Sequence, residues 1–186
     1  ASVSRLHDIL DTEPSIADGP QTDATITDIT GRIAFENVSF RYSDEEEPAL
    51  RNINFSLAPD ETLAVVGRTG AGKSTLVEMI PRLLEPDTGT VRIDGHDVRT
   101  IPLDVLRDAI GYVPQDVFLF SDTVADNIAF GTLGASDAAI EQAAAEADLL
   151  DNVEGFPEGF ETFVGERGIT LSGGQKQRTS IARALI

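Results

Sequence analysis

Apolar and polar residues alternate in two stretches near the amino end of the chain, and an acidic run at residues 43–48 separates them. The apolar positions are Ile33, Phe35, Val38 and Phe40 in the first stretch and Ile53, Phe55 and Leu57 in the second. A period near two is typical of strands with one buried face, and the acidic run suits a solvated connection. The pattern predicts an antiparallel pair of strands between residues 33 and 57.

A continuous apolar run at residues 62–66 follows, after a turn at Pro59 and Asp60. Runs of this kind are typical of strands buried on both faces of a parallel sheet. A glycine-rich segment comes directly after the run, and apolar residues at helical spacing then predict a helix over residues 74–84, with Pro81 as an interruption near its end. The predicted order is therefore strand, glycine-rich loop and helix.

Shorter elements continue the pattern toward the carboxyl end. Strands are predicted at residues 91–93 and 111–113, with a helix at residues 103–110 between them. Ser136 is a good N-cap for a helix that extends to residue 150 and is rich in alanine and glutamate. We interpret residues 116–181 as a mainly helical lobe inserted into an α/β core.

Composition restricts the classes of function. The chain has 186 residues, no cysteine and a formal net charge of −18, and Lys73 and Lys176 are its two lysines. Disulfides and thiolate metal sites are therefore excluded, and the acidic field disfavours nonspecific binding to nucleic acid. No apolar run approaches the roughly 20 residues that a membrane-spanning helix needs. We interpret the acidity as a solvated surface, with a salt-rich host cytoplasm as a secondary hypothesis.

The glycine-rich segment carries a phosphate-binding pattern. The residues Gly67-Arg68-Thr69-Gly70-Ala71-Gly72-Lys73-Ser74 fit G-x-x-x-x-G-K-[ST], and Thr75 continues into the predicted helix. Glycines let the backbone direct its N–H groups at phosphate oxygens, Lys73 can reach the β and γ phosphates, and the Ser74 hydroxyl suits Mg²⁺. An ordinary glycine-rich turn is the alternative, but it does not explain the lysine and the serine. The pattern predicts a site for ATP and Mg²⁺.

A second motif, the signature sequence Leu171-Ser172-Gly173-Gly174-Gln175, precedes a helical stretch that includes Lys176, Arg178 and residues 181–185. Ser172 and the two glycines form a natural helix N-terminus, which is a second candidate anion site. A simple helix cap is the alternative, although a cap requires only Ser172.

The two motifs in this order resemble the nucleotide-binding domain of ABC transporters, and the resemblance covers almost the whole chain from about Arg32. It implies an α/β fold with a P-loop NTPase core, an N-terminal antiparallel β subdomain and an inserted helical lobe that carries the signature. It also implies that two ATP molecules lie between two such domains arranged head to tail, so that Lys73 of one copy faces Ser172 and Gly174 of the other.

The resemblance assigns roles to further residues. Tyr42 is similar in position to the aromatic residue that stacks on adenine, and its alternative is a plain strand-end tyrosine. Gln115 resembles the Q-loop glutamine that reaches Mg²⁺ and the attacking water, and its alternative is an exposed loop glutamine. With Lys73, Gln115 is the predicted catalytic residue. The predicted ATP contacts are Tyr42, Gly67, Arg68, Thr69, Gly70, Ala71, Gly72, Lys73, Ser74, Thr75, Gln115, Ser172, Gly173, Gly174 and Gln175, and the predicted metal ligands are Ser74 and Gln115.

Three further segments resemble parts of exporters. Residues 118–120 and 123–128 look like the surface that receives a transmembrane coupling helix, although core packing would give a similar pattern. Residues 165–168 resemble a loop that senses the other subunit's membrane domain, or form a solvated charge pair. Residues 4–14 resemble the linker that leaves the last transmembrane helix, which favours export and a membrane-spanning region upstream.

The resemblance also leads us to expect an apolar strand that ends in Asp-Glu and a later histidine. Residues 176–186, which follow the signature, contain neither an Asp-Glu pair nor a histidine. The two histidines of the chain, His7 and His96, both precede the signature. We therefore expect a longer parent protein with ATPase activity, while these residues alone bind nucleotide weakly and hydrolyse it negligibly. The predicted divisions are a linker from the membrane region at residues 1–31, the β subdomain and P-loop core at 32–115, the signature lobe at 116–181 and a return toward the core at 182–186.

The leading functional prediction is the motor domain of an exporter, on the cytoplasmic side of the cell membrane. Its predicted partners are a second nucleotide-binding domain and, through the Q-loop region, the transmembrane domain. One alternative is a soluble ABC-type ATPase of DNA repair or chromosome organisation, which usually has a long coiled coil between the two motifs. The other is a catalytically degenerate partner subunit.

Overall fold

The computed structural model describes residues 10–43, 47–132, 134–165 and 171–186, which form two compact units, Ala1–Ala109 and Ile110–Ile186. Both units combine helices with antiparallel strands, in agreement with the predicted α/β class. Residues 4–9 of the predicted linker and residues 166–168 of the predicted sensing loop lie outside the described residues, so the roles suggested for them stay predictions.

A four-stranded antiparallel sheet forms the framework of the first unit. Its strands lie in the order β2 (Leu50–Leu57), β1 (Ile33–Phe40), β3 (Thr88–Ile93) and β4 (His96–Asp97). The antiparallel pairing of β1 with β2 confirms the prediction from residue alternation. The strand predicted at residues 91–93 is also present, but it pairs antiparallel with β1 and so belongs to this sheet, not to a parallel α/β core.

A β-bulge explains why two residues three positions apart in β1 face the same core. The register with β2 shifts between Phe35 and Val38, and Asn37 between them has a left-handed φ of 52°. Phe35 and Val38 are consequently both buried, and the Phe35 ring stacks on Phe55 with a centroid distance of 4.6 Å. The other buried apolar side chains of this unit are Ile26, Phe40, Leu50, Leu76, Met79, Val91, Ile93, Val98, Ile101 and Leu106.

Residues 62–66 do not form the predicted buried strand. They lie outside every helix and strand of the described chain, and Val66 is 90% exposed. A parallel strand obtains its hydrogen bonds and its burial from neighbouring strands, and none of the described strands pairs with this segment. The strand predicted at residues 111–113 is likewise absent from the described structure, for the same reason.

Two short helices complete the first unit. Helix α1 (Lys73–Glu78) begins within the glycine-rich motif and has six residues, so it ends well before the predicted residue 84. Turns formed by Ile80 N to Val77 O and Arg82 N to Met79 O follow it, because Pro81 cannot donate a main-chain hydrogen bond. Helix α2 (Leu103–Asp108) confirms the helix predicted at residues 103–110.

The second unit is mainly helical. Its helices are α3 (Val124–Ala129), α4 (Asp137–Glu146), α5 (Leu150–Glu154) and α6 (Gly173–Leu185), with a 3-10 turn at Gly159–Glu161 and a two-stranded ladder of β5 (Asp122–Thr123) and β6 (Phe163–Val164). Their shared core consists of Leu119, Val124, Ile128, Ile140, Ala143, Ala144, Ala147, Leu149, Val153, Val164, Leu171 and Ala182.

The start of α4 confirms the predicted N-cap, because the Ser136 hydroxyl accepts a hydrogen bond from the Ala139 N–H. This helix ends at Glu146, earlier than predicted, and Asp148 with a φ of 56° separates it from α5. Within the described parts of the chain, no helix has the length and apolar character to cross a bilayer.

Candidate nucleotide-binding site

The glycine-rich motif forms a loop that is open to solvent. Gly70 and Gly72 have φ values of 81° and 82°, a region that glycine enters without steric cost. A turn closes between Arg68 and Ala71, where the Ala71 N–H donates to the Arg68 carbonyl at 3.1 Å. Residues 67–71 are all exposed, so a ligand in solution can approach the main chain of the loop.

Gly72 is required by contact as well as by conformation. A Cβ atom at this position would lie 2.5 Å from the Ala49 carbonyl oxygen and 3.0 Å from Leu50 Cδ2. The motif therefore packs directly against the first residue of β2, and any larger side chain would push the two apart. The structure thus explains the second fixed glycine of the pattern by local packing.

The Lys73 ammonium lies over the same loop. Its Nζ donates to the Arg68 carbonyl oxygen at 2.9 Å. A lysine ammonium has three N–H groups, so two remain for other acceptors such as phosphate oxygens. Lys73 is therefore placed to contact a phosphate that binds to the loop amides.

Ser74 is exposed beside Lys73, with a hydroxyl that is a suitable oxygen ligand for Mg²⁺. The described residues contain no group of three or more His, Cys, Asp or Glu side chains that could hold a metal ion. Mg²⁺ is commonly bound by few protein oxygens together with phosphate oxygens and water. The donors present therefore fit a Mg²⁺ ion that arrives with a nucleotide.

Tyr42 lies beside the first turn of α1, and its aromatic ring is exposed to solvent. Its hydroxyl shares a 2.9 Å hydrogen bond with the hydroxyl of Thr75, which is buried. The ring packs edge-on against Phe40, with a centroid distance of 5.0 Å, and remains 59% exposed. The structure thus brings the predicted aromatic residue and the predicted phosphate loop together. Thr75 was predicted to contact the cofactor, and no sequence signal indicated that it also fixes Tyr42.

The signature sequence begins helix α6. The Ser172 hydroxyl accepts from the Gln175 N–H at 3.3 Å, and the Gln175 side chain accepts from the Ser172 N–H at 2.8 Å. This reciprocal capping box confirms the predicted helix start and gives Gln175 a structural role. The N–H groups of Gly173 and Gly174 have no partner within the helix by its geometry, so they can bind an external acceptor.

Glycine at positions 173 and 174 has no steric explanation within the described residues. A Cβ atom at either position would meet no atom within 4 Å, and neither residue has a positive φ. Glycine in a helix costs about 1 kcal/mol relative to alanine. Both glycines are exposed, so the start of the helix is open to close approach by a group outside it.

The predicted residues fall in separate units. Tyr42 and residues 67–75 belong to the first unit, while Gln115 and the signature belong to the second. Gln115 is exposed in an irregular segment that precedes β5. Its roles toward Mg²⁺ and water stay predictions.

The segment predicted to receive a membrane domain, at residues 118–120 and 123–128, contains both buried and exposed apolar residues, and its role toward a membrane domain stays a prediction. Leu119, Val124 and Ile128 are buried in the core of the second unit. Phe118, by contrast, is 53% exposed, and Phe130, just beyond the predicted segment, is 54% exposed. Core packing therefore accounts for one face of the segment and leaves an aromatic surface on the other.

Comparison with known proteins identifies the family. Residues 50–186 match the family model described as ABC transporter. The chain is 49% identical over its whole length to the uncharacterized ABC transporter ATP-binding protein YfiB of Bacillus subtilis (strain 168), of which it covers 32%. It is 44% identical, again over 100% of the chain, to 30% of an ATP-dependent lipid A-core flippase from Syntrophus aciditrophicus (strain SB).

A solved structure supports the same assignment. The structure of a bacterial Atm1-family ABC exporter with ATP bound matches 98% of the chain with a TM-score of 0.90 and 40% sequence identity, and the match covers 32% of that exporter chain. The chain therefore belongs to the ABC transporter family and has the fold of the ATP-binding domain of its exporters. It spans less than a third of the length of the two curated relatives named above.

Proposed function

We propose that this domain binds Mg-ATP and acts as the motor of an ABC exporter, with each ATP held between the P-loop of one domain and the signature of a second. The observation that carries the proposal is the pair of exposed helical glycines, Gly173 and Gly174, whose small size no contact within the described chain requires. A second domain that brings its bound phosphate against these amides supplies the missing reason.

The chain's own groups account for binding of the nucleotide. The loop amides and the Lys73 ammonium neutralise the phosphates, and the open Tyr42 ring stacks on the adenine. The Ser74 hydroxyl would hold Mg²⁺, which would neutralise charge that develops on the phosphates during hydrolysis. These contact groups act locally, whereas the distant acidic surface is screened over about 10 Å at ordinary salt.

The head-to-tail arrangement follows from the way in which the phosphate-binding groups are divided between the P-loop and the signature. The P-loop supplies a cation and amides, and the signature supplies amides at the end of a helix of 13 residues. When the two face each other across one ATP, its γ-phosphate receives donors from both sides. Each domain then contributes half of two equivalent sites, as two-fold symmetry requires for identical copies.

Export is the direction that the relatives favour, because one of them is named a flippase and the matching structure is an exporter. We infer a membrane-embedded partner region that contacts the domain near Gln115 and the exposed phenylalanines, with the domain on the cytoplasmic side.

The variant Gly174→Ala in the full-length protein tests the shared site. Alanine should stabilise helix α6 by up to about 1 kcal/mol, so the melting temperature is unchanged or rises. ATP-dependent association of the domains and ATP hydrolysis should both fall, because the added methyl group stands between the helix amides and the phosphate. Gly19→Ala is the matched control, since Gly19 also has open space and no positive φ, and it should change neither property. Full hydrolysis by Gly174→Ala would refute the proposal.

A further inference from the structure

The guanidinium of Arg183 occupies an unusual position near the carboxyl end of α6. Its three nitrogens donate to the Asn127 carbonyl at 2.8 Å, to the Phe118 carbonyl at 3.0 Å and to the Asn127 side-chain oxygen at 3.0 Å. The acceptors lie 56 and 65 residues earlier in the chain. Arg183 of α6, the helix that begins with the signature, is therefore hydrogen-bonded to both Phe118 and Asn127. These two residues lie in the segment that carries the exposed aromatic residues.

Two of the aromatic rings of this segment also contact the guanidinium. We define the aromatic shelf as Phe118, Phe120 and Phe130. Phe120 and Phe130 stack with a centroid distance of 4.2 Å, and Phe118 packs edge-on against Phe120 at 5.1 Å. The Arg183 Cζ atom lies 5.7 Å from the Phe120 ring centroid and 5.5 Å from that of Phe130, within the range of a cation–π interaction. The positive charge of Arg183 thus lies against two of the three rings of the aromatic shelf.

Asn127 completes the contact from the other side. It is fully buried, its side-chain oxygen accepts from the Phe120 N–H at 2.8 Å, and its amide group donates to the carbonyls of Phe120 and Thr123 at 3.0 and 2.9 Å. With the bond from Arg183, every donor and acceptor direction of this side chain is used. Arg183 and Asn127 therefore connect the shelf to α6 through directional bonds, in addition to apolar packing.

We propose that Arg183 is a positioning residue that couples the aromatic shelf to the signature helix, so that a displacement of the shelf moves Ser172, Gly173 and Gly174 toward or away from the nucleotide. The proposal rests on the proposed function, because it gives the shelf a membrane partner and the signature a phosphate. From Arg183 to Ser172 the helix is a lever of about 17 Å. A single rigid helix can transmit a shift over this distance without any other change of structure.

The chemistry of the residue supports a role beyond filling space. Burial lowers the pKa of Arg183 below its ordinary value, so its charge is held at a cost that leucine or methionine would avoid. A planar fork of donors is the feature that distinguishes arginine from lysine and from apolar residues. This cost is offset by the three hydrogen-bond acceptors on Phe118 and Asn127 and by the rings of Phe120 and Phe130.

Arg178 provides a matched comparison on the same helix. Its guanidinium bonds to the Asn152 side-chain oxygen at 2.9 Å and lies 3.2 Å from the Asp148 carboxylate, so it contacts the region of α5 and not the shelf. Arg178→Lys and Arg183→Lys therefore make the same chemical change in one helix. Only the second change removes a multi-point contact with the shelf.

Hydrogen–deuterium exchange of the full-length protein, with and without Mg-ATP, measures the coupling. In the wild-type protein and in Arg178→Lys, Mg-ATP should slow exchange both in residues 171–176 and in residues 118–130. In Arg183→Lys the first effect should persist while the ATP-dependent slowing in residues 118–130 decreases about 3- to 10-fold. The dissociation constant for ATP should stay within about twofold of wild type, which a general loss of structure would not allow.

The outcomes separate the two proposals. Equal ATP-dependent slowing of residues 118–130 in wild type and Arg183→Lys would overturn the role of Arg183 and leave the proposed function intact. Absence of slowing at residues 171–176 in the wild-type protein would overturn the proposed function itself. If Arg183→Lys does not fold, Phe120→Leu is the alternative variant, because it removes one of the two ring contacts and leaves the three hydrogen bonds of Arg183. It should give the same pattern with a smaller decrease. Unchanged ATP-dependent slowing of residues 118–130 in Phe120→Leu would likewise count against the coupling.

Discussion

The hydroxyl groups of Tyr42 and Thr75 meet in a 2.9 Å hydrogen bond, although 33 positions separate them in the sequence. Thr75 is buried in the first turn of α1, directly after the Lys73-Ser74 pair, while the Tyr42 ring remains open to solvent. The bond therefore fixes the orientation of an exposed aromatic face relative to the phosphate loop. The ring is thus held next to the helix that begins at Lys73, and we propose that adenine stacks on it.

This relationship predicts that Tyr42→Ala weakens ATP binding about 5- to 100-fold, which corresponds to the loss of one stacked base. Tyr42→Phe retains the ring and should lose at most about threefold, since only one part-buried hydrogen bond disappears. Calorimetric titration with Mg-ATP measures both. Inorganic tripolyphosphate is the control ligand, because its affinity should not change in either variant. Equal weakening for ATP and tripolyphosphate would show that Tyr42 acts on the loop and not on the base.

The two left-handed glycines of the loop give a second prediction. Gly70→Ala meets open space, so it should cost about 1 kcal/mol from backbone strain alone. Gly72→Ala adds the 2.5 Å approach to the Ala49 carbonyl, and it should destabilise the protein by about 2 kcal/mol more. Denaturant unfolding of both variants provides the comparison. Equal losses would mean that the packing of the motif against β2 is not rigid.

The Asp94 carboxylate gives a prediction about pH. It accepts hydrogen bonds from Thr30 N, Thr30 Oγ1, Gly31 N and Arg32 N. Burial opposes its ionisation, but these bonds outweigh burial and lower the pKa of Asp94 below 3.8. A carboxyl group with a lowered pKa in the folded state stabilises the fold above its unfolded pKa, and that stability is lost as the pH falls through the folded value.

Asp94→Asn should therefore destabilise the protein by about 1 kcal/mol near neutral pH, allowing for solvent screening of this partly buried group. The difference from wild type should narrow as the pH falls below 3.8. Urea unfolding at several pH values measures it. Asp28→Asn removes the same charge from an exposed position in the preceding segment, and it serves as the control. A difference that does not depend on pH would contradict the assigned hydrogen bonds.

Two serine caps of the second unit form a matched pair. Ser172 caps α6 and Ser136 caps α4, each by accepting a hydrogen bond from the N–H three residues later. Each change to alanine should cost about 1 kcal/mol of stability. Only Ser172→Ala should also lower ATP hydrolysis by the full-length protein, because only that cap borders the proposed phosphate contact. Similar activity of the two variants would reduce Ser172 to a structural role.

Features fixed by short sequence spacing were predictable. The β1–β2 pair, helix α2 and the caps at Ser136 and Ser172 depend on residues close together in the chain, and the structure confirms each of them. The P-loop and signature motifs were found for the same reason, and together they indicated the family that the comparisons establish.

Features that depend on distant neighbours were not predictable. The apolar composition of residues 62–66 indicates a buried strand, but burial requires strands beside it, and in the described structure Val66 is exposed. The antiparallel position of β3 depends on its pairing with β1. The contacts of Arg183 with residues 118–130 cross more than 50 positions, so no local pattern of the sequence indicates them.

We propose that each ATP site is shared by two copies of the domain, and a mixed dimer tests this sharing most directly. One full-length copy carries Lys73→Ala and the other carries Gly174→Asp, and separate tags allow purification of the mixed dimer. If the sites are shared head to tail, one site combines both changes and the other is intact. The mixed dimer should then retain about half of the ATP that wild type retains after rapid gel filtration, while each single-variant dimer retains almost none. A mixed dimer that retains no more ATP than the single-variant dimers would contradict the shared site.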